Sequence, residues 1–223
     1  MQRHFDEELA DLSKEILRMG SLTEESIYKS IEALKARSVE QSKQVITEDK
    51  KIDEMELAID EKCLDLLALH QPMAIDLRFI TMTMKICTDL ERIADLAVDI
   101  AQRSLEIAGK PQLKPLIDIP KLATLAQSMV KDAIDAFVHK DVELAKKVIL
   151  RDPEADNLRN LVQSELINDY ISKDASTAPR AVALLLVARH LERICDHTTN
   201  IAEDVIYMVE GKVVKHHLET LES

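Results

Sequence analysis

Sliding the sequence against itself constrains the fold more than any single motif. At an offset of 103, Ala33 to Ala68 lies on Ala136 to Ile171 without a gap, pairing Val39 with Val142, Glu40 with Glu143, Lys43 with Lys146, and Asp49 and Asp53 with Asp152 and Asp156. At an offset of 101, Leu90-Glu91-Arg92-Ile93 repeats as Leu191-Glu192-Arg193-Ile194, Asp95 as Asp196, and Ile100-Ala101 as Ile201-Ala202. Two ungapped matches in order describe a duplicated unit of about a hundred residues, and contacts between the two copies, extensive or slight, are not written in the sequence.

The unit is helical. Apolar residues recur at helical spacing through nearly the whole chain, and only three glycines and six prolines interrupt it. The spacing predicts helices over 4–36, 39–69, 75–108, 119–139, 142–172 and 178–210. Ser38 with Gln41 reads as a capping box, and Asp141 and Ser176 as helix N-caps. Gly109 to Pro120, with three prolines, is the only linker-like stretch. The expectation is an all-α fold of two tandem antiparallel three-helix bundles related by internal duplication, one over 1–110 and one over 111–223. Pro153, inside the fifth helix, is expected to kink it.

Glycine scarcity removes function classes as well. No phosphate-cradling loop, dinucleotide fingerprint or nucleophile elbow can be written with Gly20, Gly109 and Gly211. Forty-one acidic residues against 29 basic ones give a net charge of −12, which repels a nucleic-acid backbone and favours cations and basic protein patches. Inorganic phosphate is not expected as a ligand, because no basic, glycine-lined pocket can be read. Cys63, Cys87 and Cys195 lie far apart among apolar neighbours and read as buried free thiols in a reducing compartment. The longest apolar run, Ala181 to Ala188, is far short of the roughly 20 residues of a membrane span, so no membrane insertion and a cytoplasmic location are expected.

The chemistry lies in carboxylates. On the third helix Cys87, Leu90, Ala94, Ala97, Val98 and Ala101 share the core face, and Glu91, Asp95 and Asp99 climb its edge four apart. Glu192, Asp196 and Asn200 occupy the same edge of the sixth helix. The second and fifth helices add Asp49 with Asp53 and Asp152 with Asp156. Like charges four apart repel by about 0.2–0.5 kcal/mol per pair, so something should compensate them. A cation bound by oxygens from two or three helices would do it, and so would the guanidinium groups of Arg92 and Arg193. All-oxygen ligation suits Mg, Mn, Ca or Fe and tolerates Zn. A di-iron enzyme needs Glu three residues before His on two helices, and none of the seven histidines has it. His190 and His197 read as surface residues, His4 could approach Glu8, His216 and His217 sit in a polar tail, and the methionines read as core filling.

Leu90 to Asp95 with its echo Leu191 to Asp196, the turn Gln71-Pro72-Met73-Ala74-Ile75-Asp76-Leu77-Arg78, the step Arg18-Met19-Gly20 and the opening His4-Phe5-Asp6-Glu7-Glu8-Leu9 together resemble the PhoU family of phosphate-uptake regulators, over essentially the whole chain. The resemblance implies two three-helix bundles in a cytoplasmic homodimer. It implies a negative regulator of phosphate uptake and of the phosphate-starvation response. The implied partners are the ATPase subunit of the phosphate ABC transporter and the phosphate-responsive sensor histidine kinase. It also implies metal ions on motifs of Glu or Asp, three residues, then Asp or Asn. Those motifs fall on Glu91, Asp95 and Asp99, on Glu192, Asp196 and Asn200, and on the Asp49-Asp53 and Asp152-Asp156 pairs. Asn200 is a weaker, neutral ligand and Pro153 alters the backbone beside the last pair, which sets the second half apart from the first.

Overall fold

The computed structural model describes residues 2–214, and His216 and His217 lie outside them. The chain is helical throughout, with no strand among the described residues. In order come α1 (Gln2–Ala36), α2 (Val39–Glu48), α3 (Lys50–His70) and α4 (Ile75–Ala108), then α5 (Asp118–His139), α6 (Val142–Ile149), α7 (Asp152–Glu165), a π-helical segment (Leu166–Ile171), a 3-10 turn (Ala175–Thr177) and α8 (Ala178–Glu210). In the first half α1, α2–α3 and α4 pack into a bundle, and in the second α5, α6–α7 and α8 do the same.

Local chemistry explains most boundaries. Ser38 Oγ accepts from Gln41 N at 3.2 Å and Asp141 Oδ1 from Leu144 N at 3.0 Å, closing the open ends of α2 and α6. Arg37 and Lys140, at matching places in the two repeats, both turn the chain with φ 54. Ser176 does not cap α8. Asp174 accepts from Ser176 N at 2.9 Å and caps the 3-10 turn, because its shorter reach closes a two-residue turn.

The helix expected over 39–69 breaks at Asp49, and the one over 142–172 breaks at Leu150–Arg151. Pro153 therefore does not kink a continuous helix. It sits in the first turn of α7, where a missing N–H costs nothing. The matching break at Asp49 has no proline, so the bend belongs to the repeat. The π segment ends where Ser172 donates from both N (2.9 Å) and Oγ (2.8 Å) to the Ile167 carbonyl, five residues back.

The halves share one continuous hydrophobic core. α4 packs along α8, and α1 along α5. Gly20 lets α1 approach α5, since a Cβ there would stand 2.9 Å from Ile134 Cγ1. Phe79 and Phe137 stack across the halves with centroids 5.5 Å apart. The α4–α8 seam also carries polar contacts. His197 Nδ1 lies 2.8 Å from Asp89 Oδ1, His190 Nδ1 3.7 Å from Asp99 Oδ2, and Arg78 Nε donates to the Met208 carbonyl at 3.2 Å. The two histidines are therefore half-buried seam residues, contrary to the surface reading. α8 buries one face in its own bundle and a second against α4, and a single-core projection misses the second. Cys63, Cys87 and Cys195 are buried free thiols, as expected. No described helix is long and apolar enough to cross a membrane.

Candidate metal centre

The break between α2 and α3 places Asp49 at a corner facing α4, and α3 then carries Asp53, Glu56 and Asp60 along the same side. Asp53 and Asp95 help hold the Asp49 carboxyl near 6, after partial burial, which is the larger cause. Glu91 is raised to about 7, by burial first and then by Asp95, Glu56 and Asp53, against the lowering influence of Arg92. Glu56 and Asp60 are shifted upward too, chiefly by burial. The structure thus gathers Asp49, Asp53, Glu91 and Asp95 into one electrostatic group and adds Glu56 and Asp60. The added pair was legible as a continuation of the Asp49-Asp53 phase down α3.

Compensation within this group is thin. Arg92 approaches Glu91 at 3.5 Å and Asp95 at 3.7 Å from an exposed position. Lys29 is occupied by Glu25 and Glu48 at 2.8 and 2.7 Å, so the Asp49 Oδ1 oxygen is buried without a hydrogen-bond partner. Asp99 stands apart at the seam, beside His190.

The second repeat builds the same corner with Asp152 and Asp156 on α7 and Glu192 and Asp196 on α8. Asp196 is raised to about 6 by partial burial and then by Glu192, Asp152 and Asp156, and Asp152 is raised by burial and Asp156. Here the compensation is internal. Arg159 donates to Asp156 at 3.1 Å and to Glu192 at 3.2 Å, and Thr199 Oγ1 reaches Asp152 at 3.4 Å. Arg159 stands where the first repeat has Glu56, and Thr199 where it has Val98. Arg193, the expected counter-ion, pairs with neither carboxylate. Asn200 lies half-buried one turn beyond Asp196.

All donors in the first group are carboxylate oxygens, which fit a hard divalent cation or iron. As the side chains stand, no three His, Cys, Asp or Glu groups among the described residues gather closely enough to hold an ion. His4 Nε2 lies 3.7 Å from Glu8, and His70 Nε2 2.9 Å from the same carboxylate, so the opening of α1 is pinned to the end of α3 and adds nothing to the acidic corner. The structure also shows what the sequence reading missed: Arg159, Arg189 and Arg193 line one cleft between α7, the π segment and α8.

Two copies of one bundle, fused through a common core and each bearing a bent middle helix with carboxylates at the bend, define the class: a tandem three-helix-bundle protein. A family model described as the PhoU domain matches twice, over residues 16–104 and 119–205. A phosphate-specific transport system accessory protein PhoU homolog of Aquifex aeolicus is 41% identical over 209 residues, spanning 94% of each chain. Its counterpart in Clostridium acetobutylicum is 39% identical, covering 94% of this chain and 96% of that protein. The crystal structure of PhoU from Pseudomonas aeruginosa superposes with a TM-score of 0.89 at 35% identity, over 93% of this chain and all of that one. The chain belongs to the PhoU family.

Proposed function

We propose that this protein is a cytoplasmic accessory regulator of phosphate transport that acts through protein–protein contacts and not through catalysis. The observation that carries the reading is that family resemblance runs through both repeats, to relatives named as accessory proteins of the phosphate-specific transport system. As a homodimer it would dock on the ATPase subunit of the transporter and on the sensor histidine kinase, restraining uptake and the starvation response. Co-purification of tagged ATPase subunit or kinase with this protein, with and without phosphate and divalent metal, tests it. Failure to capture either partner under every condition refutes it.

The acidic corner of the first repeat supports a cation-binding role within that reading, with Asp49, Asp53, Glu91 and Asp95 as the oxygen donors for Fe, Mn, Mg, Zn or Ca. Binding there would offset the burial and the neighbouring negative charge that together raise Asp49 and Glu91. In the second repeat Arg159 already supplies positive charge to Asp156 and Glu192, so Asp152, Asp156, Glu192, Asp196 and Asn200 form the weaker of the two sites. Elemental analysis of chelator-free protein beside Glu91→Ala/Asp95→Ala checks this. Stoichiometric metal lost in the variant supports it, and equal content in both overturns it.

A further inference from the structure

The cleft between α7, the π segment and α8 offers about 620 Å³ of space, the size of a ligand-binding cleft. Its floor includes Ile167, Leu185 and Leu186, and Arg159, Arg189 and Arg193 rim it. Arg159 is committed to Asp156 and Glu192. Arg189 and Arg193 lie four apart on α8, both exposed, and neither forms an ion pair among the described residues.

Comparison of the repeats explains this excess. In the first, Arg92 has Glu91 and Asp95 beside it. In the second, Arg159 takes Glu192 and leaves Arg193 without that partner, while Arg189 replaces Thr88 of the first repeat. A chain of net charge −12 has thus placed two uncompensated cations beside a partly exposed apolar floor, on the duplicate of a face that is acidic in the first repeat. A small free anion would gain nothing from Ile167, Leu185 and Leu186, whereas an amphipathic helix can bring an apolar stripe to them.

We propose that this cleft docks an acidic amphipathic helix of a partner protein, its apolar stripe against Ile167, Leu185 and Leu186 and its carboxylates on Arg189 and Arg193. The proposal deepens the accessory reading and rests on it.

The test uses fluorescence anisotropy with a labelled helical peptide of Leu, Ala and Glu, its leucines on one face, and a second peptide with Lys in place of Glu. The acidic peptide should bind full-length protein saturably, more weakly as salt rises, and the basic one should not. Arg189→Glu/Arg193→Glu should weaken binding at least about tenfold, and Leu186→Gln should weaken it without altering charge. All three positions line the cleft, so far-UV circular dichroism should be unchanged. Absence of saturable binding, equal affinity for the charge-reversed protein, or displacement of the peptide by inorganic phosphate overturns the proposal. The same proteins are then offered to the transporter ATPase subunit. Capture of wild type but not of the charge-reversed protein supports the cleft as the docking surface. Equal capture of both overturns the cleft and leaves the accessory reading standing, whereas failure of both proteins to capture either the ATPase subunit or the sensor kinase removes that reading and the partner of the cleft with it.

Discussion

Glu91→Gln should stabilise this protein when divalent metal has been stripped from it. Glu91 is only 17% exposed in its side chain, and burial, Asp95, Glu56 and Asp53 raise its carboxyl from 4.5 to about 7. At pH 8 the native state must carry the charge, and a rise of roughly 2.5 units corresponds to about 3 kcal/mol at 1.36 kcal/mol per unit. Arg92 and water on the open side reduce this, leaving about 1–3 kcal/mol for an isosteric neutral side chain to recover. In a chain of this size that is a rise of roughly 3–9 °C in melting temperature. Because the folded-state pKa lies above the unfolded one, the native state binds the extra proton. Wild-type stability should therefore fall as pH rises through the window between 4.5 and about 7, and the variant should show a flatter profile there. Calorimetric melts of both proteins in chelator at pH 5 and pH 8 measure this. A Glu91→Gln protein that melts at or below wild type at pH 8, or gains equally at both pH values, refutes the claim that burial and like-charge crowding make the Glu91 charge costly in the native state. With saturating Mn the order should invert, since the variant lacks a donor.

In the second repeat, Arg159→Gln should destabilise the protein by about 1–3 kcal/mol, because Asp156 and Glu192 lose their shared cation. The same variant should bind divalent metal more tightly than wild type by calorimetric titration, and unchanged affinity would show that Arg159 does not hold the second site closed. Gly20→Val should cost about 3 kcal/mol in a denaturant melt through overlap with Ile134, and Ile134→Ala in the same chain should recover part of it. The three thiols should resist a disulfide-exchange reagent at pH 8 in native protein and react fully in guanidinium. All three are buried, with Cys63 pushed up to about 12 and Cys87 and Cys195 also raised, burial being the main cause in each.

The repeat, the outer helices and the capped starts at Ser38 and Asp141 were legible in the sequence because each is written in neighbouring residues: apolar period, a cap, a proline-rich gap. The break at Asp49 was not. Glu48, Asp49 and Lys50 are ordinary helix residues, and the bend arises from packing against α1 and α4. Pro153 misled for a related reason, since a proline inside a helix and a proline opening one read alike until the preceding break is known. The carboxylate stripes were legible as stripes, yet their state of charge depends on residues brought in from another helix. Arg159 compensates Glu192 across the α7–α8 contact, and only the repeat position of Glu56 could have hinted that the two halves differ there. His190 and His197 escaped because helical projection assigns one buried face, and α8 has two.

α4 and α8 are each the inner helix of one bundle and the wall of the other. Neither half can therefore loosen alone without exposing a strip of the shared interior, and a chain cut within Gly109 to Pro120 would leave two sticky fragments instead of two working domains. A second consequence is mechanical: α4 and α8 lie against each other across the two halves, so a displacement of either meets the inner helix of the other repeat directly, with no hinge between them.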